Sequence, residues 1–377
     1  MPVIEGQPLR ILHATRAPVG GIIRHILDLA NGQAERGHHV GIVADSLTGG
    51  ERANQTLAEM APSLALGVHR FAIRREPHPA DILLWPRFSR LVETLAPDVL
   101  HGHGSKAGAF VRLKRRRPGM IRVYTPHGGS LHYGPHTAKG KLYGLIERSL
   151  MNRTELFLFE SKFADTTYRK FIGSPRGPVH LVFNGVTDAE FTPVETAAGA
   201  ADVAFIGELR DIKGPDILIN ALGLLKARGQ SVTATIAGEG DAADALRAQC
   251  DRLGLTSAVK FIGYAPARHT FSLGRMLAVP SRGDSMPYVV IEAAAAGIPM
   301  IAASVGGIPE IFGEFSDCLV PPNDAEALAN AIAATLAQLG QAQERATRLQ
   351  ERIRRHFSQD AMVEGVLAAY RAARGEH

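Results

Sequence analysis

The chain has 377 residues, 45% hydrophobic and 21% charged, an ordinary globular composition long enough for two domains with a core each. Its formal charge of +5 suits anionic ligands or an anionic membrane face without demanding either. With only Cys250 and Cys318 present, a disulfide framework and a four-thiolate zinc site are excluded, and a reducing cytosol is the expected setting.

The first ten residues hold no basic segment followed by an apolar run, so no secretory signal is expected. Residues 9–15 read as a buried strand, followed by the loop RAPVGG and an amphipathic helix over about 22–35. Gly37 is placed to end that helix, and HHVGIVAD returns as a second strand. A dinucleotide fingerprint needs G-x-G-x-x-G at the first turn, whereas this turn has only Gly20 and Gly21; Asp45 alone does not make a nicotinamide site. Residues 46–80 are poorly patterned and read as connections with one short strand over 67–73. In APDVLHGHGSKAG (96–108) a strand ends at His101 and His103, which share a face. No neighbouring carboxylate completes a metal set, so they are expected to line the floor of a cleft.

Arg112, Lys114, Arg115, Arg116 and Arg117 form the clearest basic cluster. It reads as a solvated helix end or as a contact for acidic lipid headgroups or a lipid-linked diphosphate. Without interleaved aromatics, nucleic acid is disfavoured. The segment 121–133 is a strand running into a glycine loop, with His127 at the strand's C-terminal end, where open α/β sheets place ligands. A helix over about 141–152, the strand LFLFES, a helix over 161–171 and the strand VHLVFNGV follow. Residues 187–201, rich in Ala, Thr, Gly and Pro, mark the domain boundary. The expected domains are 1–190, joined by a C-terminal helix over 360–377, and 191–359.

The α/β pattern restarts at Asp202, with Gly207, Arg210, Lys213 and Gly214 in the first loop, a Gly238-Glu239-Gly240 turn, and the strand of VKFIGYAP reaching Tyr264. The stretch 276–309 is the most informative: a strand, a loop carrying Asp284 and Ser285, a helix opening at Pro287, a buried strand over 299–304, and a second helix opening at Pro309. Proline suits the first helical position because that N–H has no partner in any case. The unpaired amides and positive dipole of such a start favour an anion or a polyol. Glu292 lies on the second turn. Hydropathy alone would mark 286–309 as a membrane span, but an acid near its middle and the Gly and Pro breaks fit a buried α/β core better. Beyond Pro322 the chain reads as helical.

This order of motifs resembles the retaining, nucleotide-sugar-dependent glycosyltransferases of family 4, which have the GT-B fold: α/β, two Rossmann-like domains facing an interdomain cleft. Asp284, Pro287, Glu292, Ala293, Gly297 and Pro299, then Gly306, Gly307, Pro309 and Glu310, follow the family's pattern of two acids separated by seven residues. Asp284 stands where the family has Glu, and Glu208 follows Gly207 where the family has Arg, so Arg210 is expected to supply the guanidinium. The resemblance implies transfer from a UDP- or GDP-linked sugar to a glycan or lipid-linked acceptor, in surface polysaccharide or glycolipid synthesis. It also implies a cytoplasmic protein peripheral to the membrane. By the same resemblance His127, Arg210, Lys213 and Asp284 are catalytic, while Gly20, Gly21, Gly207, Gly238, Tyr264, Ser285, Met286, Pro287, Tyr288 and Glu292 hold substrate. Two cations on one loop suit a diphosphate leaving group, and with no Asp-x-Asp motif no metal is expected. The alternatives are a sugar-nucleotide epimerase or a phosphorylase on the same fold, or a degenerate domain that binds glycan without catalysis.

Overall fold

The computed structural model of the chain describes residues 7–128 and 136–376, so the loop expected beyond Gly128 lies outside the described residues. Two compact units result: the first takes the chain up to Gly185 together with the segment from Gln359, and the second is Val186–Ser358.

The first unit is built on β1 (Arg10–Thr15), β2 (His39–Asp45), β3 (Gly67–Phe71), β4 (Val99–His103), β5 (Ile121–Thr125), β6 (Leu156–Phe159) and β7 (Val179–Leu181). They form one sheet in the order β3-β2-β1-β4-β5-β6-β7. Every pairing is parallel. A parallel sheet needs crossovers that cover both faces, and β4, β5 and β6 are accordingly buried at every residue. Strand order runs outward from β1 to β3 and then in the other direction from β4. Between β1 and β4 the connections therefore part, which opens a crevice at the strands' C-terminal ends.

Local signals place the helices. Helix Gly20–Glu35 ends where Gly37 takes φ 80°; the Gly37 N–H donates to Ala34 O and the His38 N–H to Gln33 O, satisfying the last carbonyls. Thr137 and Ser161 cap the helices Ala138–Leu150 and Lys162–Phe171 by accepting from the Gly140 and Ala164 amides. Helix Gln359–Arg374 joins this unit by burying Met362, Val363, Val366, Leu367 and Tyr370 among Leu9, Ile11, Val99, Val123 and Leu158.

The second unit has β8 (Ala201–Ile206), β9 (Ala234–Ala237), β10 (Val259–Gly263), β11 (Gly274–Val279) and β12 (Met300–Ala302), in the order β10-β9-β8-β11-β12. Its switch point falls between β8 and β11. Helices Pro215–Ala227 and Ala325–Ala337 press Leu222, Leu225, Leu328 and Ile332 onto Val203, Phe205 and Ile236. Each such fully buried side chain contributes roughly 1.5–3 kcal/mol.

Two expectations are corrected, and one helix is added. Residues 46–80 contain a helix, Gly50–Met60, whose only buried residues are Ala53 and Leu57, a mostly polar segment with few apolar residues to mark it. An unanticipated helix, Ala80–Leu95, carries Pro86 on an exposed position, so the hydrogen bond that proline forgoes falls on the solvent side. The basic cluster is not one exposed face. Arg112 is fully buried: its guanidinium lies 3.7 Å from the Tyr124 ring centroid and donates to Glu147 Oε2 at 2.8 Å, while the Tyr124 hydroxyl donates to Glu147 Oε1 at 2.8 Å. Lys114 is also buried and donates to Ser89 Oγ and Glu93 Oε1, each at 2.6 Å. Only Arg115, Arg116 and Arg117 remain exposed. Over 286–309 the chain turns through helix Tyr288–Ala295, β12 and helix Ile308–Phe312. Among the described residues no helix is long and apolar enough to cross a membrane.

Removing one partner of a buried ion pair strands the other charge, which costs about 3–5 kcal/mol. Arg112→Met should therefore lower stability by that amount in urea unfolding. Adding Glu147→Gln, which removes the charge but leaves an acceptor for Tyr124, should recover part of it. No additional loss in Arg112→Met would show that the pair is not integral to the fold.

Candidate active site

In the second unit the loops that leave β8, β9 and β10 are stitched together by main-chain bonds. The Gly207 N–H donates to Ala237 O at 3.1 Å, Leu209 N–H to Glu239 O at 2.8 Å, and Gly238 N–H to Gly263 O at 2.7 Å. Gly238 has φ 145°, and a Cβ there would stand 1.8 Å from Gly207 O, so only glycine permits this approach. Three expected positions, Gly207, Gly238 and Tyr264, are thereby gathered, with Tyr264 half exposed beyond β10.

Across the switch point the β8 loop meets the β11 loop. The Arg282 N–H donates to Ile212 O at 2.8 Å, and its guanidinium forks onto Asp216 at 2.8 and 2.6 Å. Burial alone would raise the Asp216 carboxyl; hydrogen bonds and charge from Arg282 outweigh it and hold the group below its ordinary range. Sequence reasoning missed Arg282, which acts through loop geometry and has no local signature. On the β12 side, Gly307 N–H donates to Asp284 O at 3.1 Å, and a Cβ on Gly306 would lie 1.5 Å from that same oxygen. The paired glycines thus let the loop after β12 seat directly on the Asp284 backbone.

These constraints place the charged groups. Lys213 Nζ donates to Asp284 Oδ1 at 2.5 Å, with side chains 23% and 13% exposed, although the residues are 71 positions apart. Asp284 Oδ2 is buried without a hydrogen-bond partner among the described residues. A carboxylate with one oxygen committed to a cation and the other unsatisfied is prepared to accept from a ligand hydroxyl. Arg210 is more exposed and pairs with Glu208 at 3.0 Å, so the departure at Glu208 supplies this guanidinium with a partner. Helix Tyr288–Ala295 starts four residues beyond Asp284, with Pro287 as an extended N-cap and not as its first residue. Met286, Pro287 and Tyr288 are buried, while Ser285 and Glu292 are half-buried. A cavity of about 260 Å³ elsewhere in this unit, among Ile298, Phe312, Phe315 and Leu349, is lined by none of the expected site residues.

In the first unit the crevice at β1 and β4 is filled with imidazoles. Register sets His13 beside His101 and Thr15 beside His103, and His127 follows β5 by two residues. His127 holds φ 49°, in the left-handed region, a strain of about 1–3 kcal/mol that the surrounding packing must offset. His25, from helix Gly20–Glu35, stacks edge-on to His127 with centroids 4.8 Å apart. Gly20 and Gly21 open that helix and are exposed, Gly20 at φ 63° with open space where a Cβ would stand. Burial drives the pKa of His13 down to about 4 and that of His127 to about 3, and holds His25, His101 and His103 well below the ordinary range. At neutral pH these rings are uncharged. His13, His25 and Gln33 were not singled out in the sequence, since only sheet register brings them to His101 and His103. Asp45 is structural: it accepts from the Ile73 amide and the Thr48 hydroxyl.

Comparison with known proteins bears directly on this pair of switch-point sites. Residues 20–185 match the family model described as glycosyl transferase 4-like domain, and residues 200–338 match glycosyl transferases group 1. The chain is a family 4 glycosyltransferase. It is 24% identical over 386 residues to a glycogen synthase of Mycobacterium tuberculosis, covering 95% of this chain and 92% of that protein. A D-inositol 3-phosphate glycosyltransferase of Segniliparus rotundus is 28% identical over 304 residues, 73% of this chain and 66% of its own length. The structure of Anabaena HepE in complex with UDP-glucose superimposes with a TM-score of 0.81 at 20% identity, covering 97% of this chain and 100% of HepE. This glycosyltransferase thus has the GT-B fold, with two Rossmann-like domains, and acts on nucleotide sugars.

The buried histidines couple stability to acid. Their folded pKa values lie below the 6.5 of the free side chain, so the unfolded chain binds more protons as pH falls. Stability is intact above about pH 6.5 and should decline toward pH 4, by about 1.4 kcal/mol per pH unit for each histidine that titrates only when unfolded. Urea midpoints that stay level from pH 7.5 to pH 5 would contradict the burial of neutral rings.

Proposed function

We propose that the enzyme transfers a sugar, with retention of anomeric configuration, from a UDP- or GDP-linked donor to a glycan or lipid-linked acceptor in surface polysaccharide or glycolipid synthesis. The observation that carries the reading is the Lys213–Asp284 pair with its unsatisfied Oδ2, at the switch point of the second unit. Lys213 has three donors, so it can keep Asp284 and still engage a phosphate oxygen. Arg210 adds a second cation, and the amides of Ser285, Met286 and Tyr288 at the helix start add dipoles aimed at developing negative charge. Asp284 Oδ2 accepts from a hydroxyl of the transferred sugar, and Glu292 takes the ribose hydroxyls. Gly207, Gly238 and Tyr264 line the nucleotide side, Tyr264 at the base, and His127 attends the reacting ring. Gly20 and Gly21 let phosphate or acceptor approach the first unit.

In this mechanism the bond from the anomeric carbon to the diphosphate breaks, and the acceptor oxygen bonds to that carbon on the same face. The acceptor's proton passes to the departing phosphate oxygen. The protein's part is placement and charge, and two cations with a helix start offset the diphosphate without a metal. UDP donors are the first to test, because HepE is known in complex with UDP-glucose. The exposed Arg115, Arg116 and Arg117 support an acceptor presented at an anionic surface. The protein then works at the cytoplasmic face of the membrane as a peripheral enzyme.

A panel of nucleotide sugars with mass detection of released nucleotide identifies the donor. With that donor, Lys213→Ala combined with Arg210→Ala should lower turnover by about 10²-fold or more. Turnover within a few-fold of wild type would remove the diphosphate assignment. EDTA should leave the rate unchanged, and a rate abolished by chelation and restored by a divalent cation would require a metal in the mechanism.

A further inference from the structure

Three histidines in the first unit are joined end to end. Gln33 Oε1 lies 2.9 Å from His13 Nε2, His13 Nδ1 lies 3.0 Å from His103 Nε2, and His103 Nδ1 lies 3.0 Å from His127 Nε2. A neutral imidazole has one N–H and one bare nitrogen, so each link dictates the next. An amide oxygen only accepts; with Gln33 Oε1 turned to the ring, and Gln33 Nε2 left without a hydrogen-bond partner among the described residues, His13 carries its proton on Nε2 and accepts at Nδ1. His103 must then donate from Nε2 and accept at Nδ1, and His127 must donate from Nε2. Among the described residues, the ring nitrogen of His127 left for a ligand is Nδ1, and it is an acceptor. Burial, which keeps all three rings neutral, is what allows the chain of bonds to have a single direction. His101 packs against His103 with ring centroids 3.9 Å apart and the planes tilted by 38°, and is held by Tyr370 and Thr125 at 2.7 and 2.9 Å, which fixes the middle of the chain in place.

We propose that Gln33, His13 and His103 are positioning residues that lock His127 as its Nε2–H tautomer, so that it accepts a hydrogen bond from a hydroxyl of the transferred sugar and cannot donate one. The inference rests on the reading of His127 as the group beside the reacting ring. It adds a specificity rule: a donor sugar deoxygenated at the position facing His127 leaves Nδ1 unsatisfied and is transferred more slowly. Nitrogen atoms of His25, His103 and His127 also lie within 4.8 Å of one another, a spacing open to a divalent cation. The 3.0 Å separation of His103 and His127 favours a shared proton instead, because two nitrogens on one tetrahedral zinc stand about 3.4 Å apart with both protons gone.

The test is the nitrogen spectrum of ¹⁵N-histidine in the untagged, ligand-free full chain at neutral pH, with His127 assigned from its loss in His127→Asn. Wild type should show His127 as the Nε2–H tautomer alone. Gln33→Leu, which removes the acceptor, and His103→Phe, which cuts the chain, should give mixed tautomers at His127. Both should lower kcat about 10-fold with the donor KM within about two-fold, a split that general loosening of the fold would not produce. Gln33→Leu decides the matter alone if His103→Phe does not fold. An Nδ1–H signal in wild type, a His127 spectrum unaltered by these changes, or kcat unaltered despite a tautomer change would each overturn the proposal. So would one equivalent of Zn²⁺ bound with loss of the His25, His103 and His127 signals in wild type. Because the spectrum is read without substrate, it decides the hydrogen-bonded chain even if no nucleotide sugar proves to be a donor.

Discussion

Parallel strand pairing is the constraint from which the sites follow. Two parallel neighbours must be joined by a crossover, and when strand order reverses the crossovers leave in opposite directions. Polar loops then converge above the sheet with no helix between them. The chain does this twice, at β1 and β4 and again at β8 and β11. At the second of these points Lys213 and Asp284 meet. At the first, His13 and His103 meet.

The two places solve the problem of polar groups near a core in different ways. In the second unit, charge is kept and paired: Lys213 with Asp284, Arg282 with Asp216, Arg210 with Glu208. Pairing holds the loops in register while leaving Asp284 Oδ2 without a partner among the described residues. In the crevice of the first unit, charge is removed, because burial keeps the imidazoles neutral and lets His13, His103 and His127 bond to one another. In the function proposed above, Lys213 and Arg210, held by paired charges, serve the diphosphate, and a neutral hydrogen-bonding wall serves the sugar ring. Both properties agree with the chemistry of a glycosyltransferase that uses nucleotide sugars.

Much of this was legible residue by residue. Gly37 ends its helix as expected because a left-handed residue is a local requirement, and Pro309 falls in the first turn of its helix for the same kind of reason. The glycines at 238, 306 and 307 were visible as a pattern, although what they approach was not. Helix Gly50–Met60 went unread because only two of its residues face the core, and the basic cluster was misjudged because Glu147, the partner that buries Arg112, comes 35 residues later. Charge density along a chain does not reveal which charges find a partner.

The amino-acid sequence by itself determined the class of fold, the order of the strands and of most helices, and the residue types offered at each strand end, since these follow from periodicity and from backbone preferences acting over a few residues. Tertiary structure alone decided that Lys213 pairs with Asp284, that Arg112 is sealed against Tyr124, and that five histidines from four separate segments share one crevice. Those outcomes depend on sheet register and on which strand lies beside which, and long-range pairing of that kind leaves no mark in the spacing of neighbouring residues.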